Sequence, residues 1–214
     1  MRVYHFTSTE FGLSDIALKR LKISRIEDLN DPFELLAAEL SEKNSRTALP
    51  ALKAQLHTSS GLLCFSKRWR NPVLWSHYAD KHRGMCLGFD IADGDAKAID
   101  YDAERFDFDV EGAVGSPAAF DLTQRLLYTK FKDWAYEEEV RVYMSLDPAT
   151  EQNGLYFADF GASLSLREVV LGHRCTLPID SVRKLISQVD SAVSIIKARL
   201  AFKSFSVVPD LRFS

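Results

Sequence analysis

The densest chemistry in the chain lies in Trp134-Ala135-Tyr136-Glu137-Glu138-Glu139-Val140-Arg141-Val142-Tyr143. Three acids running into β-branched residues are costly for a sheet. From Tyr136 onward the segment alternates, which puts Tyr136, Glu138, Val140 and Val142 on one face and Glu137, Glu139, Arg141 and Tyr143 on the other. One reading is an exposed strand face with cross-strand ion pairs. The other is a polar cleft whose carboxylates bind sugar hydroxyls and stabilise a cation, with Arg141 holding one carboxylate ionised and oriented.

Three further groups have the right residue types. His5 stands in the second half of a first strand, where it is either a half-buried, satisfied histidine or a catalyst; Tyr4 and Thr7 add polar capacity beside it. In Trp75-Ser76-His77-Tyr78, the tryptophan and tyrosine are three apart and share a helical face. They form either aromatic core or a wall for a flat ligand ring. Lys67-Arg68-Trp69-Arg70 is either a solvated loop or a place where Arg68 and Arg70 meet phosphates while the indole stacks on a base. Asn30 and Asp31 most simply make a turn, Ser66 most simply ends a strand, and His173 is expected at the surface. His77 and His82, five apart, are poorly spaced for a shared metal. Cys64, Cys86 and Cys175 have no ligand spacing, so no metal site is expected; Cys64 and Cys86 sit in apolar runs and read as small core residues of a reduced protein.

The elements that must position these groups follow from periodicity. Val3 to Phe6 reads as a strand, and Thr7 with Glu10 resembles a capping box for a helix carrying Leu13, Ile16, Ala17 and Leu21 on one face. Pro32 pushes Asp31 out of helical geometry. Glu34 to Leu56 is predicted helical, with a break near Pro50. Gly61 to Ser66 is a buried strand. Asn71-Pro72 opens a helix that Gly84 ends, and Met85 to Asp90 is another strand. Residues from Ile91 to about Ser116 are acidic and less regular, with a short strand at Ala98 to Tyr101. Phe120 to Phe131 is helical, Gly154 to Phe160 and Leu166 to Leu171 are strands, and Pro178 to Val189 is a helix. Val193 to Leu200 and Phe205 to Val208 are read as a terminal hairpin, with a helix as the alternative for the former. Strands and helices do not alternate regularly, which argues α+β and not a doubly wound parallel sheet. Glycine-rich phosphate motifs are missing, so Rossmann and P-loop binding are not expected.

The 214 residues, 46% of them hydrophobic and 27% charged, suit one domain with a real core. A net charge of −3 gives no global support for polyanion binding, although it leaves room for a local basic patch. No run approaches the ~20 apolar residues of a membrane span and the N-terminus has no apolar signal core, so a cytosolic protein without membrane partners is expected.

Tyr4-His5-Phe6-Thr7, Leu29-Asn30-Asp31-Pro32-Phe33-Glu34, Cys64-Phe65-Ser66, Trp75-Ser76-His77-Tyr78-Ala79-Asp80, His82-Arg83-Gly84 and Trp134 to Arg141 together resemble the bacterial domain of unknown function 2971. That family name carries no activity. More distantly, the order of a strand with His, a strand then helix with Tyr, and a strand with Glu is similar to the His-Tyr-Glu branch of the ADP-ribosyltransferase superfamily. That resemblance implies a single domain, residues 1–214, with a mixed or antiparallel split sheet and flanking helices. It implies NAD as co-substrate and His5, Tyr78 and Glu139 as the catalytic set. Around them Tyr4, Thr7, Asn30, Asp31, Ser66, Arg68, Arg70, Trp75, Ser76, Glu137 and Arg141 would bind the dinucleotide. Glu137-Glu138-Glu139 also resembles the Glu-x-Glu strand of arginine-modifying members, whose second Glu is catalytic. The expected activity is ADP-ribosyl transfer to a macromolecular acceptor, protein or nucleic acid, in a toxin or phage-defence setting. The alternatives are NAD hydrolysis and a non-catalytic nucleotide- or protein-binding module of the same fold.

Overall fold

The computed structural model describes residues 1–113, 116–189 and 192–213. Among them ten strands join one mixed sheet and two more, β6 (Asp100–Asp102) and β7 (Thr129–Phe131), form a parallel pair. The protein is an α+β domain with helices on both faces of that sheet. β1 (Arg2–Thr7) pairs along its whole length with β4 (Met85–Asp90), which pairs with β10 (Ser165–Leu171). Then come β11 (Ser194–Leu200), parallel to β10, and the edge strand β12 (Val207–Pro209), which closes the expected terminal hairpin. On the other side lie β3 (Ser60–Ser66), β2 (Arg20–Arg25) and β9 (Tyr156–Asp159). β8 (Glu139–Ser145) runs antiparallel to all of β3 and also holds the two-residue β5 (Lys97–Ala98).

Alternation assigns the two faces. Val3, Leu63, Phe65, Leu87, Phe89, Val140 and Val169 point into one core, closed by Ile16 of α1 (Thr9–Leu18) and Val182 and Ile186 of α6 (Ile179–Ser187). The opposite face is covered in two separate places. Cys86, Val170 and Val207 pack under Trp75 of α3 (Pro72–Tyr78), with Tyr4 and Phe6 beside them. Leu62 and Ile99 pack under Leu49 and Leu56 of α2 (Lys43–Ser59) and Leu122 and Leu126 of α5 (Ala118–Tyr128). The remaining helix, α4 (Val110–Ala113), is one turn long.

Several boundaries depart from the periodic pattern. The first helix is capped by Ser8, whose Oγ accepts from Phe11 N at 3.2 Å, and not by Thr7. It stops at Lys19, left-handed at φ 54°, so Leu21 is buried on β2, a strand the pattern missed. Glu34 lies in irregular chain and α2 begins nine residues later. α2 runs through Pro50 without interruption, because Pro50 faces solvent, where the carbonyl it leaves unbonded can bond water. The stretch expected to be helical as far as Phe131 is helix only to Tyr128, and Thr129–Phe131 is strand. The irregular stretch from Ile91 to about Ser116 holds β5, β6 and α4, while its residues 114 and 115 lie outside the described residues. No helix among the described residues is long and apolar enough to cross a membrane.

Candidate functional site

The site begins as a branch in the sheet. One edge of β3 is fully paired with β8. The other edge is shared: β2 pairs at Gly61 and Leu62, and β1 pairs only at Ser66, opposite Tyr4. Between those anchors the strand has no neighbour, and a side chain takes the place of a ladder bond: His5 Nδ1 lies 3.2 Å from Cys64 O. A carbonyl only accepts, so Nδ1 carries the hydrogen and Nε2 is left as an acceptor. Burial pushes the imidazole's pKa down against the opposing effect of that bond, which keeps the ring neutral near pH 7.

Below this branch, between the two separately covered patches of the second face, is a cavity of about 310 Å³. Its wall includes His5, Ser66, Tyr78, Glu137, Glu139 and Arg141, with Tyr4 and Asn30 at its sides. α3 supplies Leu74 and Tyr78. Asn71 starts that helix by accepting from Val73 N at 3.0 Å, with Pro72 in the first turn. The helix ends at Tyr78, short of Gly84, and Asp80, Lys81 and His82 follow in left-handed backbone. Gly84 is where the chain returns to the sheet, and a Cβ there would lie 2.1 Å from Thr7 O. The acidic segment is not strand throughout. Lys132–Glu137 is a 3₁₀ turn, Glu138 is left-handed at φ 44°, and β8 starts at Glu139. Glu137 therefore reaches the cavity from a turn and Glu139 from a strand.

A continuous polar network lines the floor. Arg141 Nη1 and Nη2 donate to Glu34 at 2.5 and 2.9 Å, and its Nε and Nη2 donate to Glu139 at 2.7 and 3.1 Å. Arg141 Nη1 also caps Leu127 O at 2.7 Å. Lys130 Nζ donates to Glu137 at 2.6 Å and to Glu139 at 3.2 Å, 4.7 Å above the Trp134 ring. Tyr78 OH donates to the second oxygen of Glu137 and accepts from Asn30 Nδ2 at 2.8 Å. Three carboxylates thus face two cations, so the fully ionised cluster is one positive charge short.

The two central carboxyls respond differently. Burial raises both, but at Glu139 the guanidinium of Arg141 and then Lys130 outweigh it and hold the group at about 2. At Glu137 burial wins over Lys130 and Tyr78, and the pKa is raised from its ordinary value. Tyr78 is pushed up by burial first and by Glu137 second, so its hydroxyl stays protonated. Tyr101 OH, accepting from Glu139 N at 2.8 Å, is pushed by burial up to about 12.

Of the residues singled out in the sequence, His5, Tyr78, Glu139, Tyr4, Asn30, Ser66, Glu137 and Arg141 meet at this cavity. Six lie elsewhere. Thr7 is buried behind Gly84, off the cavity wall. Asp31 holds its own turn by accepting from Phe33 N at 2.9 Å, and it lines a neighbouring hollow of about 290 Å³ that shares only Glu34 and Lys130 with this one. Arg68 is paired outside with Glu138 at 2.9 Å, and Arg70 is exposed near the Trp69 ring. Trp75 is a core residue with no exposed surface, its indole N–H donating to Trp69 O at 2.5 Å, so it cannot be a ligand wall. Ser76 bonds Pro72 O and His82 on another face. Trp69 is also buried, which removes it as a base-stacking platform.

Glu34 and Lys130 were not singled out as site residues. Glu34 stood inside the Leu29-to-Glu34 motif. Lys130 had only a charge-balance signal, since an acid triplet with one arginine needs a second cation if it is buried. No group of three His, Cys, Asp or Glu side chains among the described residues is disposed to hold a metal ion. No family model, curated protein or solved structure matches this chain.

Proposed function

We propose that this cavity binds the nicotinamide–ribose half of NAD and transfers the ADP-ribose to a macromolecular acceptor. The observation that carries the reading is the convergence of His5, Tyr78 and the Glu137–Glu139 pair on one hollow whose charged groups fall one cation short. Cleavage of the nicotinamide–ribose bond builds oxocarbenium character, as in glycoside hydrolysis. A surplus carboxylate beside the ribose is worth more in that transition state than in the ground state. The cavity is at the small end of ligand sites, which suits one nucleoside half with the adenylate outside. The branch at β3 supports the reading, since a split sheet of the ADP-ribosyltransferase kind would have such a branch.

Roles follow from the environments. Neutral His5 orients the ribose through its free Nε2. Tyr78 borders the leaving ring. Glu139, ionised and locked by Arg141, supplies fixed negative charge. Glu137 is the better proton acceptor because its pKa is raised, which shifts the base role from the second glutamate of the motif to the first. In the balanced step the ribose C1–N bond breaks with its electron pair leaving on nicotinamide. The acceptor's nucleophile bonds C1, and its proton passes to Glu137. Arg68 and Arg70 do not line the cavity, so the pyrophosphate role expected of them has no support in this arrangement.

A non-catalytic binding module is the second reading, favoured by one observation: Glu34, Glu139 and Arg141 are nearly sealed, as a structural ion cluster would be. Incubation with labelled NAD and cell lysate separates the cases. Label on macromolecules supports transfer and free ADP-ribose supports hydrolysis. No NAD consumption under any condition removes both and leaves the module.

A further inference from the structure

Three segments meet along the β12 edge of the sheet. The turn between β11 and β12 carries Phe202 and Phe205 at 90% and 102% exposure. Val207 N donates to Arg70 O at 2.8 Å, which seats this hairpin against the Lys67–Arg70 loop. On its other side Leu200 shares a hollow of about 250 Å³ with Lys81, His82, His173 and Arg174. Lys67, Arg70, Lys81, Arg174 and Lys203 are exposed. Among the described residues these five make no salt bridge; Asp80, Glu138 and Asp210 are paired with Arg83, Arg68 and Arg212, and the remaining acid near Arg70, Glu168, is half-buried. Arg199 lies 4.4 Å over the Phe202 ring. In a chain of net charge −3 this edge is therefore cationic, with two aromatic rings left in water.

We propose that the edge binds single-stranded nucleic acid. Unpaired bases stack on Phe202 and Phe205, and phosphates follow the cations past the Lys67–Arg70 loop to Ser66, which borders the cavity and bonds Arg68. Stacking on exposed rings beside a line of cations is how single strands are held without base-specific contacts. A symmetric contact with a second copy would bring the same cations face to face. An anionic bilayer would meet the rings but would not use a line of charge that leads to a cavity. If the transfer reaction proposed above holds, the strand is also the acceptor; the binding itself stands without it.

The test is fluorescence anisotropy with labelled single-stranded DNA and RNA oligonucleotides, between about 50 and 200 mM salt. Replacing Phe202→Ala and Phe205→Ala together should weaken binding roughly 30-fold or more. Lys203→Ala should lower the salt slope by about one. Unchanged melting temperatures would show that these exposed substitutions leave the fold intact. Absence of saturable binding at low salt overturns the proposal. So does equal competition by phosphatidylserine vesicles, or a dimer in sedimentation velocity that the double variant abolishes. NAD hydrolysis without oligonucleotide should be the same in the double variant. In the native protein, NAD turnover without any strand binding would defeat this inference alone, and strand binding without turnover would defeat only the reaction.

Discussion

Glu137 and Glu139 are two residues apart and share Lys130, yet their surroundings separate them. Glu139 gives both oxygens to Arg141, while Glu137 meets only one cation and a phenol. Glu137→Gln should therefore cut NAD turnover on the order of 10²-fold or more with near-native stability, since the amide keeps the shape and the Tyr78 contact. Glu139→Gln should lose turnover and stability together. Measuring rate and urea midpoint for both variants checks this, and matched losses would sink the division of roles. Arg141→Met leaves Glu34 buried without an ion-pair partner and Glu139 with Lys130 alone, and should destabilise by about 3–5 kcal/mol. The pH profile has a definite sign. Glu139 ionises at about 2 in the fold against 4.5 ordinarily, so its contribution is full above pH 4.5 and fades as pH falls toward 2. Denaturation from pH 6 to pH 3 should show that loss in the native chain and a flatter profile in Arg141→Met. At this scale the sequence was informative where chemistry and periodicity agreed, as in Glu139 facing Arg141 across one turn of the pleat. It failed for Trp75, because three-residue spacing places two rings on a helix face without saying whether that face meets ligand or core.

Elements were legible when their own residues set the boundary and illegible when a neighbour did. β3, β4 and β10 are apolar runs bounded by polar or glycine residues, and they stand within a residue of the pattern. β2 was hidden because Leu21 continues the helical period of α1, and only the left-handed Lys19 redirects the chain. β7 was hidden because three residues after a helix carry no period of their own. The branch at β3 could not be read at all, since pairing partners are set by the packing of distant segments. Gly84 is the clearest element-scale constraint. Gly84→Ala would force its Cβ against Thr7 O and the Ala79 backbone, neither of which can yield without moving β1 or the end of α3. It should cost about 1–3 kcal/mol by thermal melting. Because α3 carries Tyr78, it should also slow NAD turnover, and a stable, fully active variant would show that α3 sits independently of β1.

Over the whole molecule, charge is sorted by position: an acid-rich cleft floor, a cationic edge and a net of −3 between them. Composition reported only the sum, which is why the edge was invisible to it. If the cavity takes NAD, saturating dinucleotide should stabilise the whole domain by mass action, about 2.7 kcal/mol at a hundredfold excess over Kd. A thermal-shift titration reads this, and no shift at millimolar NAD would argue against occupancy of the cavity. The hollow lies beside a gap in the pairing of β3 between β1 and β2, so the course of the backbone sets its place in the sheet. Exposed rim residues can vary there more readily than the buried ion network beneath them. A lineage carrying this sheet could exchange one ligand for another, or abandon catalysis entirely, while its descendants remained superimposable.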